Sequence, residues 1–235
     1  MDELKLNIGA SQTFLPEFIN IDISDRADIP LDLNNQPLPF EDDSVSEVFS
    51  YHTLEHVENY LFVLGEIYRV LKHGGIFLVG APYLTLTKYH LVNPYHYHNF
   101  NEYSFDFFDL NKLKGSASEQ NPILFHKIFH RFHYIGFFNI LPPPFRAWSR
   151  YHLLNVVRKI DFGLIAVKNT NLPIEIAPGY RRTLIKKYRG YLADRRNYGS
   201  LDLQDDYSTP FDRVKNTRIY NIAKNSWHWW QGHGN

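Results

Sequence analysis

The sequence predicts an α/β fold in which a mainly parallel sheet carries its working groups at the carboxyl ends of the strands. Three observations carry that prediction. Short apolar strands alternate with a segment of helical period; the strand Leu4–Ile8 runs directly into Gly9; and Glu47–Pro82 reads as strand, turn, amphipathic helix, Gly-Gly stop and a second buried strand. Strands alternating with helices imply parallel pairing through right-handed crossovers.

The elements follow in order. Leu4–Ile8, Phe18–Ile23 and Val45–Tyr51 are apolar runs of strand length, and Ala27–Leu33 is a weak third strand broken by Pro30. Between Val57 and Leu71, the residues Val57, Leu61, Leu64, Ile67, Tyr68 and Leu71 recur at three- and four-residue spacings, the apolar stripe of one helix. Lys72 and His73 then fall where a helix dipole favours cations, and Gly74 supplies a left-handed stop. Ile76–Val79 reads as a buried strand. After Pro82 comes a polar, aromatic loop, with Asn101 as the N-cap of a short helix reaching about Leu113. Leu124–Phe138 is strand-like, the prolines 142–144 break the chain, Phe145–Val157 is a helix candidate, and Ile160–Val167 is a closing strand.

Bulk properties narrow the function. The 235 residues suit one α/β domain with an appendage. Lys and Arg (25) balance Asp and Glu (25), so bulk attraction to DNA or anionic lipid is not expected. With no cysteine, disulfides and thiolate zinc sites are excluded. The acidic start does not read as a secretory leader, and no apolar run approaches the roughly 20 residues of a membrane helix. The expectation is a soluble, cytoplasmic protein without a membrane partner.

The motif order Leu4-Lys-Leu-Asn-Ile-Gly9, Phe18-Ile-Asn-Ile-Asp22, Leu38-Pro-Phe40, Leu54-Glu-His56 and Arg69-Val-Leu-Lys-His-Gly-Gly75 resembles the class I S-adenosylmethionine (SAM) methyltransferases. The likeness is to the small, type 11-like family whose signature runs LNLGCG, INVDI, LPF, LEH, RVLKPGG. It implies a Rossmann-like sheet of seven strands, mostly parallel with an antiparallel last strand, helices on both faces, and SAM as cofactor. It covers residues 4–110 well and 111–169 loosely, so residues 1–169 are expected to form the methyltransferase domain and 170–235 a C-terminal extension acting as lid, docking or oligomerisation segment. A helix is expected near Gly179–Arg196.

SAM needs close backbone approach for its amino-acid end, an acceptor for its ribose hydroxyls and an apolar slot for adenine. Gly9 suits the first, with Ala10 and Ser11 replacing the family's Cys-Gly yet small enough to preserve the approach. The carboxylate of Asp22 suits a ribose diol. Asp32 and Leu33 resemble the pair that reads and covers adenine, although a turn aspartate before Asn34-Asn35 reads equally well. His52, Leu54 and His56 surround the turn after the fourth strand, where the resemblance implies a donor-side role. Methyl transfer to oxygen is helped by a base, and a histidine titrates near neutrality. His96, in Asn93-Pro-Tyr-His-Tyr-His-Asn-Phe100, resembles the family's D-P-x-H segment and is the first candidate base, with His98, His52 and His90 in reserve. Each can also be an exposed loop histidine. His90, His96 and His98 have a spacing that permits a metal, but with no adjacent acidic pair none is expected.

The run Arg181, Arg182, Lys186, Lys187, Arg189, Arg195 and Arg196, interleaved with Tyr180, Tyr188, Tyr191 and Tyr198, can grip nucleic acid or form a helix face. The zero net charge favours the latter. The expected reaction is O-methylation of a sugar or small-molecule hydroxyl. The rivals are an RNA methyltransferase using the basic segment and a non-catalytic SAM-fold binding protein. Part of residues 170–235 is expected to pack on the catalytic domain or on a partner subunit of a homo-oligomer, with Trp227, Trp229 and Trp230 as anchors.

Overall fold

The computed structural model describes residues 3–11, 13–109, 111–112 and 122–198. Among them, seven strands form one sheet: β1 (Lys5–Ile8), β2 (Ile19–Asp22), β3 (Ile29–Pro30), β4 (Val45–Tyr51), β5 (Leu71–Pro82), β6 (Phe125–Tyr134) and β7 (Val157–Ala166). Their order is β3-β2-β1-β4-β5-β7-β6. All neighbours pair in parallel except β7, which runs antiparallel to both β5 and β6. The helices are α1 (Tyr60–Val70), α2 (Pro143–His152) and α3 (Tyr180–Tyr198). Strand order reverses between β1 and β4, and in open α/β sheets ligands bind outside the carboxyl ends at that switch point.

The strands alternate their side chains between two cores. On one face Val48 of β4 and Phe77 of β5 pack with Val63, Leu64, Ile67 and Val70 of α1. On the other, Phe49 and Leu78 pack with Leu15, Phe18 and Phe129 and with Leu184 and Tyr188 of α3. Among the described residues, the connections 9–18, 23–28 and 31–44 contain no helix, and the face opposite α1 receives its cover from α3. Each fully buried Leu or aromatic ring there is worth about 1.5–3 kcal/mol. Polar contacts fasten the same helix. Lys187 pairs with the buried Glu47, Tyr191 donates to Glu47 at 3.3 Å, and Tyr188 donates to the buried Asp161 at 3.1 Å. Arg195 lies 4.7 Å above the ring of Tyr51. The inward tyrosines and cations of the basic run are therefore engaged with the sheet, while Arg181, Arg182 and Arg189 face outward. Trp227, Trp229 and Trp230 lie outside the described residues.

Three local expectations need correction. Helix α1 ends at Val70, because Leu71 is already extended, fully buried and paired with Val45. Lys72 and His73 thus belong to β5, and Gly74 (φ +78°) serves a bulge between the pairs Val45–Leu71 and Glu47–Ile76. Among the described residues Asn101 caps no helix: its Oδ1 accepts the Tyr103 N–H at 2.8 Å, and a 3-10 turn, Asp106–Phe108, follows, while Leu113 lies outside the described residues. That turn is short because Phe105 and Phe108 both drop into the core. Helix α2 begins at Pro143, where a missing N–H costs nothing, and ends at His152, leaving Val157 to open β7.

Candidate functional site

The switch-point end of the sheet gathers five chain segments. At the end of β1, Gly9 has φ +70°, and a Cβ there would lie 2.0 Å from Thr53 Oγ1. The absence of a side chain lets the β4 turn close over the β1 end, and Thr53 donates to the Ile8 carbonyl at 3.3 Å. Ala10 is buried, and Ser11 (φ +52°) donates its N–H to Asp22 Oδ2 at 2.9 Å. The other oxygen of Asp22 accepts the Ser24 N–H at 3.0 Å. Its carboxylate is thereby fixed at the end of β2 and retains lone pairs for a diol. Beneath it the buried Asn7 and Asn20 side chains bond at 2.8 Å, and Asn20 Oδ1 also holds the Leu15 N–H. Directly after Asp22 stands Ile23, 73% exposed. An exposed apolar side chain beside a diol acceptor suits one side of an adenine slot, and neither its strand position nor its type singled it out in the sequence.

Asp32 and Leu33 follow β3. Asp32 Oδ1 accepts the Asn34 N–H at 3.0 Å and its Oδ2 accepts from the Asn35 amide at 2.6 Å, the bonds of a turn aspartate. Leu33 packs against the core from a half-buried position.

The turn after β4 holds the densest chemistry. His52 adopts φ +55°, a conformation that costs a non-glycine residue about 1–3 kcal/mol, and its N–H is anchored on the Gly80 carbonyl at 2.8 Å. That strain aims His52 Nδ1 at Glu55 Oε1, 3.0 Å away. Leu54 is buried below, and Glu55 is fully buried with its Oε2 unpartnered. Burial alone would raise the Glu55 pKa, but the His52 hydrogen bond and the fields of His52 and His56 outweigh it, leaving the carboxyl below its usual value. The Glu55 carbonyl accepts the Tyr97 N–H at 2.8 Å, tying this turn to the loop after β5.

That loop delivers His90, His96 and His98. His90, 1% exposed, lies 2.8 Å from Asn99 Oδ1 through Nε2 and 2.7 Å from His96 Nδ1 through Nδ1. An amide oxygen only accepts, so neutral His90 donates from Nε2 and accepts at Nδ1. His96 must then donate from Nδ1 and keep the lone pair of Nε2. Desolvation lowers the pKa of both rings, and the neighbouring His56 lowers that of His96 further. His56 and His96 meet edge to face at 4.5 Å. His98 turns away to Tyr60, with ring centroids 5.0 Å apart, and its buried Nε2 is unpartnered. Structure thus gathers His52, Glu55, His56, His90 and His96 and separates His98. Glu55 and Asn99 are the members the sequence did not mark: a buried acid inside a Leu-Glu-His turn and an asparagine in a loop carry no periodic signal.

A seven-strand sheet in this order, with only β7 reversed and with a small-residue turn after β1 and an acid after β2 at the switch point, is the Rossmann-like arrangement that the resemblance in the sequence implies. Residues 13–79 match the methyltransferase domain family. A sterol 4-C-methyltransferase of Caenorhabditis elegans is 40% identical over 63 residues, which are 27% of this chain and 19% of that protein. The chain thus spans about a fifth of that relative's length. Solved structures similar to it include a SAM-dependent methyltransferase of Archaeoglobus fulgidus, at 14% identity and TM-score 0.49 over 69% of this chain and 86% of that one. Another, from Mesorhizobium loti, has 12% identity and TM-score 0.40 over 70% and 91%. No helix among the described residues is long and apolar enough to cross a membrane.

Proposed function

We propose that this chain methylates a hydroxyl oxygen of a small-molecule or sugar acceptor, in the cytoplasm, with residues 1–169 as the catalytic domain and 170–235 as an extension that supports it. Bound SAM supplies an electrophilic methyl group on a sulfonium. Asp22 holds the ribose hydroxyls, the turn from Gly9 to Ser11 receives the amino-acid end, and Ile23 and Leu33 flank the adenine. His52, Leu54 and His56 close the donor side. The acceptor enters from the loop after β5, and His96 Nε2 takes its hydroxyl proton as the oxygen attacks. The observation that carries this reading is the convergence of two family-matched motifs, Asp22 and the Leu54–His56 turn, on one switch-point crevice that also holds a histidine with a defined free lone pair.

Carbon methylation is not required by any group described. The RNA-modifying rival loses support because Lys187, Tyr188, Tyr191 and Arg195 are spent on the sheet. The test is His96→Ala. With an acceptor found by screening, turnover should fall about 10²–10⁴-fold while SAM affinity stays unchanged. Full turnover in the variant would remove His96 from the chemistry.

A further inference from the structure

Glu55, His56 and His96 each bring one metal-ligating atom within 4.8 Å of the other two. Their remaining bonds decide which atoms are free. His56 Nδ1 lies 3.1 Å from the Tyr95 carbonyl, which can only accept, so His56 donates there and keeps the Nε2 lone pair. His96 likewise donates from Nδ1 to His90, itself oriented by Asn99, and keeps its Nε2 lone pair. Glu55 receives His52 on Oε1, whereas Oε2 is fully buried and has no partner. Such an oxygen keeps its lone pairs free for a ligand. Imidazoles tied through one nitrogen to a carbonyl or a neighbouring ring, beside a carboxylate with an unfilled oxygen, are how metal ligands are commonly held.

We propose that Glu55, His56 and His96 bind one divalent transition-metal ion, with His52, Tyr95 and the His90–Asn99 pair orienting the three ligands. Two imidazoles and one carboxylate suit Zn²⁺, Fe²⁺, Co²⁺ or Mn²⁺ and leave coordination positions open. The inference rests on the methyl-transfer reading only for the ion's role, and it reassigns the His96 Nε2 lone pair from proton acceptor to metal ligand. An acceptor hydroxyl on the ion would release its proton to water at neutral pH, and the metal would hold the resulting oxyanion. That oxygen's electron pair would form the new C–O bond as the donor sulfur keeps the electrons of the broken C–S bond. His96 would then act as a ligand rather than a base. The acceptor class becomes one whose hydroxyl can chelate together with a second oxygen, such as a vicinal diol.

The experiment uses the full chain without a polyhistidine tag, stripped with chelator and titrated with Co²⁺ alone. Equilibrium dialysis counts the ions and visible absorption reports nitrogen–oxygen ligation. One ion per chain is expected. Glu55→Gln, His56→Ala and His96→Ala should each abolish or strongly weaken it. Asn99→Ala should weaken it about 10–100-fold by releasing His90, and His152→Ala, on exposed α2, should leave it unchanged. Thermal melting checks that each variant is folded. No saturable binding by the parent, or equal binding by folded Glu55→Gln and His56→Ala, would overturn the site. SAM binding is measured on the same stripped protein. Donor binding without Co²⁺ binding sinks the metal alone, and Co²⁺ binding without donor binding sinks methyl transfer alone.

Discussion

The two faces of the sheet are covered by opposite strategies. On one face the cover is local: α1 sits in the crossover between β4 and β5 and buries Val63, Leu64, Ile67 and Val70 against strands next to it in sequence. On the other, the three early crossovers are loops, and the cover comes from α3, whose Tyr188 reaches Phe49 and Asp161 from far along the chain. The loops gain from this arrangement. Freed of helices, residues 9–11, 13–18 and 23–28 fold tightly around Asn20 and Asp22 at the proposed donor end of the crevice. The difference teaches that a segment resembling an appendage by composition can complete a core.

If α3 is part of the core, truncating it should cost as much as truncating α1. Tyr188→Ala should lose about 3–5 kcal/mol and Ile67→Ala about 2–5 kcal/mol in urea unfolding. A loss below about 1 kcal/mol at Tyr188 would reduce α3 to a loosely docked tail. A gentler probe acts from the sheet side. Gly80→Ala would place a Cβ 2.2 Å from Tyr188 Oη and 2.6 Å from the Tyr51 ring, and overpacking of this kind costs about 1–3 kcal/mol. An unchanged melting temperature would mean that α3 lifts without penalty.

Acid should weaken the edge of the sheet on which α3 leans. His130 and His133 of β6 both have lowered pKa values, chiefly through burial, with Lys127 adding to the effect at His130 and the Asp161 bond opposing it at His133. Below about pH 6.5, the ordinary histidine value, the unfolded chain therefore binds protons that the folded one does not. Their contribution is present above that pH and is lost as pH falls through the lowered values. The urea midpoint should drop between about pH 7 and pH 5. A midpoint that rises on acidification would contradict the assignment. Smallest of all, Arg182→Gln on the outward side of α3 should change stability by no more than about 0.5 kcal/mol. A larger loss would place that side in an interface.

Much of the fold was legible because β1, β2, β4 and the α1 stripe are apolar runs of unambiguous period. Gly9 and Asp22 stood out because they sit at strand ends inside motifs that resemble the family, although a glycine or acid at a strand end is as often an ordinary turn or cap residue. The end of α1 was not, since Leu71 satisfies the helical stripe and the β5 pairing equally, and only burial beside Val45 decides between them. The inward face of α3 was obscured for a different reason. It is made of Tyr188, Tyr191 and Arg195, amphipathic side chains that bury their stems and rings while reading as polar. In the site, the His90–His96 contact and the buried Glu55 arise from one loop folding back on another turn, a long-range event that no local pattern encodes.

Calorimetric titration of SAM into the protein, its Asp22→Asn variant and its Asp22→Ala variant tests the central claim most directly. The switch-point crevice as donor site predicts one SAM per chain, bound about 1–3 kcal/mol more weakly when the Asp22 carboxylate is removed, with both variants folded. No binding by the parent, or equal affinity across the three proteins, would contradict it.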